Sequence, residues 1–238
     1  MNQEIVKELE KRINNDYSNI AGMVVLKEGK RLYENYFNEC SATSLIHVYS
    51  VTKSIISILI GIAMDKGYIK SIDQKLLDFF PDYTVKKREK TIQNITLKDL
   101  LTMTAPYKYK LTPYTYIKYF MSDDWVKFTL DVLGGKGKIG EFRYTPLIGP
   151  DILSGILAKV TGQSVFDFAR ENLFLPLGIT VESNVYFHSA KEQRAFNRSS
   201  SISGWVADPT GINAGGWGLT LSPVDMAKIG QLYLDGGM

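Results

Sequence analysis

The hydrophobic pattern at the start of the chain predicts a helix followed by a β-hairpin. Ile5, Leu9 and Ile13 recur at helical spacing in an otherwise polar segment, which favours a weakly amphipathic helix. Residues 22–27 and 31–37 are rich in strand-forming side chains, and a Glu-Gly-Lys turn separates them. We therefore expect the chain to open with a helix and two antiparallel strands.

A nearly uniform apolar segment at 51–66 predicts a helix buried in the centre of the protein. Lys53 is its only charged residue before position 65, and a helix that is apolar nearly all round is typical of a core. Ser54, Ser57 and Gly61 form a stripe of small residues along it, where we expect another backbone to pack closely. The segment is too short to span a bilayer.

Capping signals predict further short helices after about residue 73. Each begins at a threonine, serine or proline, and an aspartate in the first turn supports three of these starts. The last three end at a glycine or before a proline. The predicted helices span residues 97–103, 150–160, a segment that starts after Ser164 and ends before Pro176, and 223–235. A further strand is predicted at 181–187.

Few segments have the pattern of strands, which bears on the fold class. The hairpin and one further candidate make a poor sheet, and small isolated sheets are marginal in water. The buried helix nevertheless needs a sheet or other helices packed against it. We therefore expect an α+β protein whose remaining strands lie outside this chain, which would make it a fragment or one piece of a larger fold.

Composition and charge exclude several classes of function. Hydrophobic residues make up 45% of the 238 residues and charged residues 22%, which is ordinary for a globular protein and excludes a disordered or fibrous chain. The net charge is only +3. The densest basic run, at 86–90, is interrupted by Glu89, so a solvated loop explains it better than nucleic-acid binding. We expect neither a nucleic-acid nor a membrane partner.

The N-terminal segment and the single cysteine favour a cytoplasmic protein. The N-terminus is polar and charged and lacks the apolar core of a secretory signal, and Cys40 alone cannot form an internal disulfide. His47 and His188 are isolated from other metal-ligating residues, so no metal is expected. A Gly-x-Gly-x-x-Gly pattern at 135–140 has no clear strand before it and no clear helix start after it, which favours a flexible loop over a dinucleotide cofactor.

Ser50 and Lys53 are the first candidates for chemistry. They stand three residues apart, so on a helix their side chains project from one face, with Cβ atoms about 5–6 Å apart. A serine hydroxyl needs a base to remove its proton. Burial can lower the pKa of a lysine by up to about 3–5 units and so make it a base. A capping serine followed by a solvated lysine explains the same spacing, and both interpretations stay open on these residues alone.

Longer segments resemble the class C β-lactamase-like serine hydrolases, a family of serine β-lactamases, penicillin-binding proteins and esterases. The resemblance begins at Ser50-Val51-Thr52-Lys53-Ser54 and continues through further blocks in the family's order. These blocks are Ile69 to Pro81 (IKSIDQKLLDFFP), Ile95 to Thr104 (ITLKDLLTMT), Phe142 to Gly178, and Gly215 to Met226. Blocks that match in the right order are far more specific than any one motif.

The resemblance implies a β-lactamase/transpeptidase-like fold, in which an antiparallel sheet with flanking helices carries an inserted helical subdomain. Residues 1–74 would form the N-terminal hairpin and the nucleophile helix. Residues 75–178 would form the mainly helical subdomain, and residues 179–238 would return to the α/β part and end before its last strands. The resemblance also implies Ser50 as the nucleophile and Lys53 as its base.

The family's second motif, Tyr-x-Asn, corresponds here to Tyr144-Thr145-Pro146. The resemblance implies that Tyr144 relays a proton or shares one with Lys53. Pro146 replaces the asparagine, and the lost amide removes a donor that would help orient the substrate. A literal Tyr-Ser-Asn at 17–19 precedes the hairpin, outside the family's order, and is a chance match. The third motif, Lys-Thr-Gly or His-x-Gly, is not found and is expected beyond residue 238.

We therefore expect acyl transfer without a cofactor, on a small ester, amide or peptide-like substrate rather than a β-lactam. The expected partners are this small molecule and the missing C-terminal part of the same fold. Two alternatives stay open. One is a binding or sensor module that keeps the fold without turnover. The other is a structural fragment with no independent function, which would expose apolar surface and aggregate.

Overall fold

The computed structural model describes residues 3–108 and 110–237. Its helices are α1 (Gln3–Asp16), α2 (Val51–Asp65), α3 (Leu97–Leu101), α4 (Pro113–Phe120), α5 (Trp125–Val132), α6 (Pro150–Thr161), α7 (Val165–Ala169), α8 (Ala190–Arg198) and α9 (Pro223–Leu234). Its strands are β1 (Gly22–Lys27), β2 (Lys30–Tyr36), β3 (Ile46–His47), β4 (Asn184–Val185), β5 (Trp205–Val206) and β6 (Thr220–Leu221). Short 3₁₀ turns lie at Leu76–Phe79 and Ile92–Asn94, and a π-helical turn at Arg170–Phe174 extends α7.

The opening helix and the hairpin are confirmed. Strands β1 and β2 pair antiparallel. The turn between them places Glu28 and Gly29 at φ angles of 52° and 70°, a left-handed conformation that glycine adopts at no steric cost. Strand β1 also packs against α9, so the two ends of the described chain meet at the hairpin.

Helix α2 packs against α6 and forms the centre of the core. Ile55, Ile56 and Leu59 are completely buried, each 0% exposed. Burial of a leucine or isoleucine side chain contributes about 1.5–3 kcal/mol of stability, so this face anchors the N-terminal end of the helix firmly. The predicted central burial is therefore confirmed for one face of α2.

The opposite face of α2 differs from the prediction. Ser54, Ser57 and Gly61 are exposed, and nothing lies within 4 Å of the position that a Gly61 Cβ would take. Because successive residues of a helix are about 100° apart, this stripe points away from the buried isoleucines. The expectation of a closely packed backbone along these small residues is wrong for the part of the chain that the structure describes.

Local capping interactions set the ends of several helices. The Thr96 and Ser222 side chains each accept a hydrogen bond from the backbone N–H three residues later, and an aspartate there reaches back to the cap. Gly162 ends α6 in the left-handed conformation, with φ of 70°. The helix predicted at 97–103 ends earlier, at Leu101, because Met103 takes a φ of 56° that no helix tolerates.

The remaining strands form two small sheets, and one of them positions the site. β3 pairs antiparallel with β6, and β4 pairs parallel with β5. The strand predicted at 181–187 is confirmed only for Asn184–Val185, the residues that pair with β5. The described chain is thus helix-rich with small sheets, as expected for the α+β class. The subdomain boundaries at 74 and 178 stay a prediction.

Within residues 3–108 and 110–237, no helix combines the length and the apolar character that crossing a membrane requires.

Candidate active site

Ser50 is presented at the junction between β3 and α2. The Val48 N–H donates to the Leu219 carbonyl over 2.9 Å, which fixes the end of β3 beside β6. Tyr49 then takes a φ of 45°, a left-handed conformation that costs a non-glycine residue free energy and is concentrated at functional sites. This turn places Ser50 at the N-cap of α2, with its hydroxyl free of any capping bond.

The Ser50 hydroxyl lies between Lys53 and Tyr144. Lys53 Nζ is 3.0 Å from Ser50 Oγ, and the Tyr144 hydroxyl is 2.7 Å from the same atom. Both are hydrogen-bond distances. The structure thus brings together the three residues that the sequence analysis selected, although Tyr144 lies 94 positions from Ser50 along the chain.

Two backbone carbonyls complete the surroundings of the Lys53 amine. Nζ donates to the Pro146 oxygen over 2.9 Å and to the Gly216 oxygen over 2.8 Å. With Ser50 Oγ, these three acceptors satisfy an ammonium group fully. A neutral amine keeps two N–H groups for the two carbonyls, so its lone pair then points at Ser50 Oγ. The carbonyls therefore orient a neutral Lys53 as a base toward the serine.

The electrostatic environment perturbs both groups that could exchange a proton with Ser50. Burial lowers the pKa of Lys53 because desolvation disfavours the ammonium, while Tyr144 and Asp151 act in the opposite direction. The hydrogen bond with Ser50 lowers the pKa of Tyr144, and the positive charge of Lys53 adds to this. Tyr144 is 52% exposed, so it is reached from solvent, whereas Lys53 lies deeper.

Pro146, the departure from the family motif, offers a backbone acceptor and no side-chain donor. Its carbonyl oxygen accepts from Lys53, so an acceptor for the lysine is present at this position. A proline side chain carries no N–H, so no donor projects from here toward a substrate. Position 146 therefore helps to hold the lysine and provides no side-chain amide with which to bind a substrate carbonyl.

Asp151 is a buried acid that the sequence analysis missed. It lies in the first turn of α6, is 1% exposed, and its Oδ1 accepts from the Gly215 N–H over 2.9 Å. Burial raises its pKa to about 7, although the Gly215 N–H and Lys53 act to lower it. Since the next residue, Gly216, provides the carbonyl that binds Lys53, Asp151 fixes one end of the segment that orients the base.

His47 holds the other end of the same segment. Its Nε2 accepts from the Gly218 N–H over 2.9 Å, which requires a neutral imidazole with the proton on Nδ1. Burial lowers its pKa to about 4, and its ring stacks on Tyr49 with centroids 3.9 Å apart. The acceptor nitrogen of His47 is therefore already occupied by the Gly218 N–H. We call residues 215–218 the glycine segment.

The other sequence candidates lie away from this arrangement. The backbone N–H of His188 donates to Glu192 at the start of α8. The Gly-x-Gly-x-x-Gly pattern at 135–140 lies in the connection between α5 and α6, and Gly135 N–H donates to Glu89. No helix begins there in the described chain, so a loop is confirmed. Among the described residues, no group of three or more His, Cys, Asp or Glu side chains is arranged to hold a metal ion.

Comparison with known proteins places this geometry in context. The family model described as Beta-lactamase matches residues 7–237. A search of curated protein sequences gives no match.

Solved structures share the fold at low sequence identity. A candidate 6-aminohexanoate-dimer hydrolase from Bacillus anthracis is similar with a TM-score of 0.69 and 17% identity, over 97% of this chain and 57% of that one. An octameric penicillin-binding protein homologue from Pyrococcus abyssi gives 0.67 and 18%, over 99% and 56%. A class C β-lactamase from Rhodobacter sphaeroides gives 0.61 and 19%, over 100% and 67%. The chain thus has the β-lactamase/transpeptidase-like fold and spans little more than half the length of the first two proteins.

Proposed function

Because the chain belongs to the β-lactamase family, we propose that it is a serine hydrolase that forms an acyl-enzyme at Ser50. One observation carries this proposal. The Ser50 hydroxyl is hydrogen-bonded at once to Lys53, over 3.0 Å, and to Tyr144, over 2.7 Å. A nucleophile in contact with a base whose pKa burial lowers is the arrangement that covalent acyl transfer needs.

The proposed reaction follows from these contacts. Neutral Lys53 takes the Ser50 proton as Oγ attacks the substrate carbonyl, and the carbonyl oxygen becomes an oxyanion. The Ser50 N–H, among the first N–H groups of α2 that lack intrahelical partners, is one donor for that oxyanion. Tyr144, on the solvent side of Oγ, gives its proton to the leaving group and regains one from the Lys53 ammonium, which returns Lys53 to the neutral amine. Water then hydrolyses the ester on Ser50 and returns the serine.

We further propose that small esters or amides, including peptide-like ones, are better substrates than β-lactams. The support is Pro146, which has no side-chain amide to offer a substrate, and whose backbone oxygen is already bonded to Lys53. Comparing hydrolysis of p-nitrophenyl esters with that of nitrocefin tests this ranking. We expect faster turnover of the esters. Efficient nitrocefin hydrolysis would overturn the ranking and leave the acyl-enzyme proposal intact.

A fluorescent fluorophosphonate tests the nucleophile directly, because it labels only activated serines. We expect the wild-type protein to be labelled and Ser50→Ala to be unlabelled. Ser54→Ala is the matched control, since Ser54 is an exposed serine on the same helix. Intact-mass measurement of the adduct checks that one serine reacts. Equal labelling of wild-type protein and Ser50→Ala would show that another serine reacts.

The second candidate is a binding or sensor module that keeps the fold without turnover. Pro146 favours it, because the site lacks an amide donor for a substrate carbonyl. Absence of labelling in folded protein, together with saturable binding of the same esters, would support this module over the hydrolase.

A further inference from the structure

A cleft of about 690 Å³ shares one wall residue, Tyr144, with the proposed active site. Tyr144 forms part of its wall and is also the residue whose hydroxyl lies 2.7 Å from Ser50 Oγ. A substrate whose carbonyl is at Ser50 would enter this cleft with whatever part of it extends past Tyr144. The side chains that line the cleft would then influence which substrates bind.

The cleft concentrates positive charge. Four of its lining side chains are basic, namely Lys108, Lys110, Lys136 and Arg143, and none of the described residues that line it is an aspartate or glutamate. The whole chain has 28 basic and 25 acidic residues, so the overall composition does not account for this imbalance. The charge is a local property of the wall next to Tyr144.

Three of these cations have no carboxylate partner. Lys110, Lys136 and Arg143 belong to none of the ion pairs formed within residues 3–108 and 110–237, and all three are exposed. Lys108 is different, because its Nζ donates to the Asp131 carbonyl over 2.8 Å and burial lowers its pKa. The positive charge open to a ligand therefore comes chiefly from the other three residues.

We propose that this cleft selects substrates that carry a carboxylate on the part of the molecule extending past Tyr144, a proposal that rests on acyl transfer at Ser50. Arg143 can bind a carboxylate through two parallel N–H groups, and the lysines add point charges. Leu111 and Tyr116 also line the cleft and offer apolar surface to a short hydrocarbon chain between carbonyl and anion. Because exposed ion pairs are weak, we expect a preference of about fivefold, which salt reduces.

Matched esters test the proposal. The first pair is p-nitrophenyl butyrate and p-nitrophenyl hemisuccinate, whose acyl groups are of equal length and end in a methyl group or a carboxylate. The second pair is p-nitrophenyl acetate and 3-carboxy-4-nitrophenyl acetate, which differ by a carboxylate on the leaving group. The rate of every ester is corrected for its hydrolysis in buffer alone. We expect the anionic member of at least one pair to have the higher kcat/KM at low salt. That ratio should fall at high salt and in the variant Lys110→Glu/Lys136→Glu.

The control variant is Lys7→Glu/Lys11→Glu on α1. It makes the same change in net charge with residues that do not line the cleft, and its ratio should equal that of the wild type. The proposal is overturned when neither pair shows a preference for the anion, or when the preference is the same in both double variants. Absence of any Ser50-dependent turnover would instead contradict the proposed function.

Binding to Ser50→Ala tests the cleft without turnover. This variant cannot be acylated, so calorimetry can measure the dissociation constants of the same four esters. Tighter binding of an anionic member, weakened by Lys110→Glu/Lys136→Glu, supports the cleft even for an inactive protein. Equal binding within both pairs overturns it.

Discussion

Replacing Asp151 by asparagine should change how the stability of the protein depends on pH. The wild-type carboxyl is 1% exposed, and its Oδ1 accepts a hydrogen bond from the Gly215 N–H. Asparagine keeps an oxygen acceptor for that N–H and removes the charge. The comparison therefore isolates what ionising a carboxyl in this position costs.

The magnitude follows from the pKa of the buried acid. Burial raises it from 3.8 to about 7, and this interval corresponds to about 4 kcal/mol at about 1.36 kcal/mol per pKa unit. Between these values the folded protein keeps a proton that the unfolded chain has lost. Stability therefore falls as pH rises through this range, and the cost is complete above about pH 7. Asparagine carries no such cost.

His47 has the opposite dependence, which is why a difference between variants is needed. Its pKa falls from 6.5 to about 4 on folding, so the unfolded chain binds more protons and stability rises with pH over that range. The contribution is at most about 3 kcal/mol. In the wild type the two effects largely cancel, and Asp151→Asn should reveal the rise that is due to His47.

Urea unfolding of wild type and Asp151→Asn from about pH 4 to pH 8 measures the difference. We expect the stability of the variant relative to wild type to increase by about 4 kcal/mol across this range. Asp82→Asn is the matched control, since Asp82 is exposed. A difference that stays within about 1 kcal/mol at all pH values, or one that decreases with pH, would refute the reasoning. A constant difference would show that ionising the buried carboxyl does not destabilise the fold. A difference that decreases with pH would show that the carboxylate stabilises the fold.

Three further substitutions test the arrangement around the serine. Lys53→Ala should lower kcat by about 10²–10⁴-fold. In the wild type kcat/KM should rise with pH as Lys53 becomes neutral, and the variant should lose this rise. A pH–rate profile of the variant that keeps the rise would assign it to another group. Tyr144→Phe should lower kcat by about 10²-fold while the rise remains, and steady-state kinetics with an unchanged kcat would exclude the hydroxyl from proton transfer. Gly215→Ala should destabilise the fold by about 1–3 kcal/mol, because its Cβ would collide with the Pro150 carbonyl. Thermal unfolding checks this, and an unchanged midpoint would show that the glycine segment can move.

The elements with local signals could be predicted from the sequence. The capping boxes at Thr96 and Ser222 are complete within four residues, and the apolar run of α2 needs no distant partner to be recognised. Helices α4, α5 and α8 were not predicted. Their caps, Thr112, Asp124 and Ser189, all accept the hydrogen bond that such residues favour, so the local signal for these helices is also present in the sequence.

Only those parts of the candidate site that consist of recognisable side-chain motifs could be predicted from the sequence. Ser50 and Lys53 are adjacent on a helix, and Tyr144 follows from the family resemblance. The roles of Asp151 and His47 depend on N–H groups 64 and 171 positions away, and nothing in either neighbourhood indicates them. The carbonyls that orient Lys53 belong to the backbone, which every residue has, so no residue type could reveal them. The Pro146 and Gly216 carbonyls come together only when segments distant in the chain pack around Lys53.

The glycine segment has a consequence for observing the site in the absence of substrate. The amide protons of Gly215 and Gly218 are each held by a buried acceptor, so they exchange with solvent only when the segment opens. Opening also withdraws the Gly216 carbonyl from Lys53. The deuterium uptake of these two amides therefore reports the fraction of molecules in which the base is out of place, a measurement that needs neither turnover nor knowledge of the natural substrate.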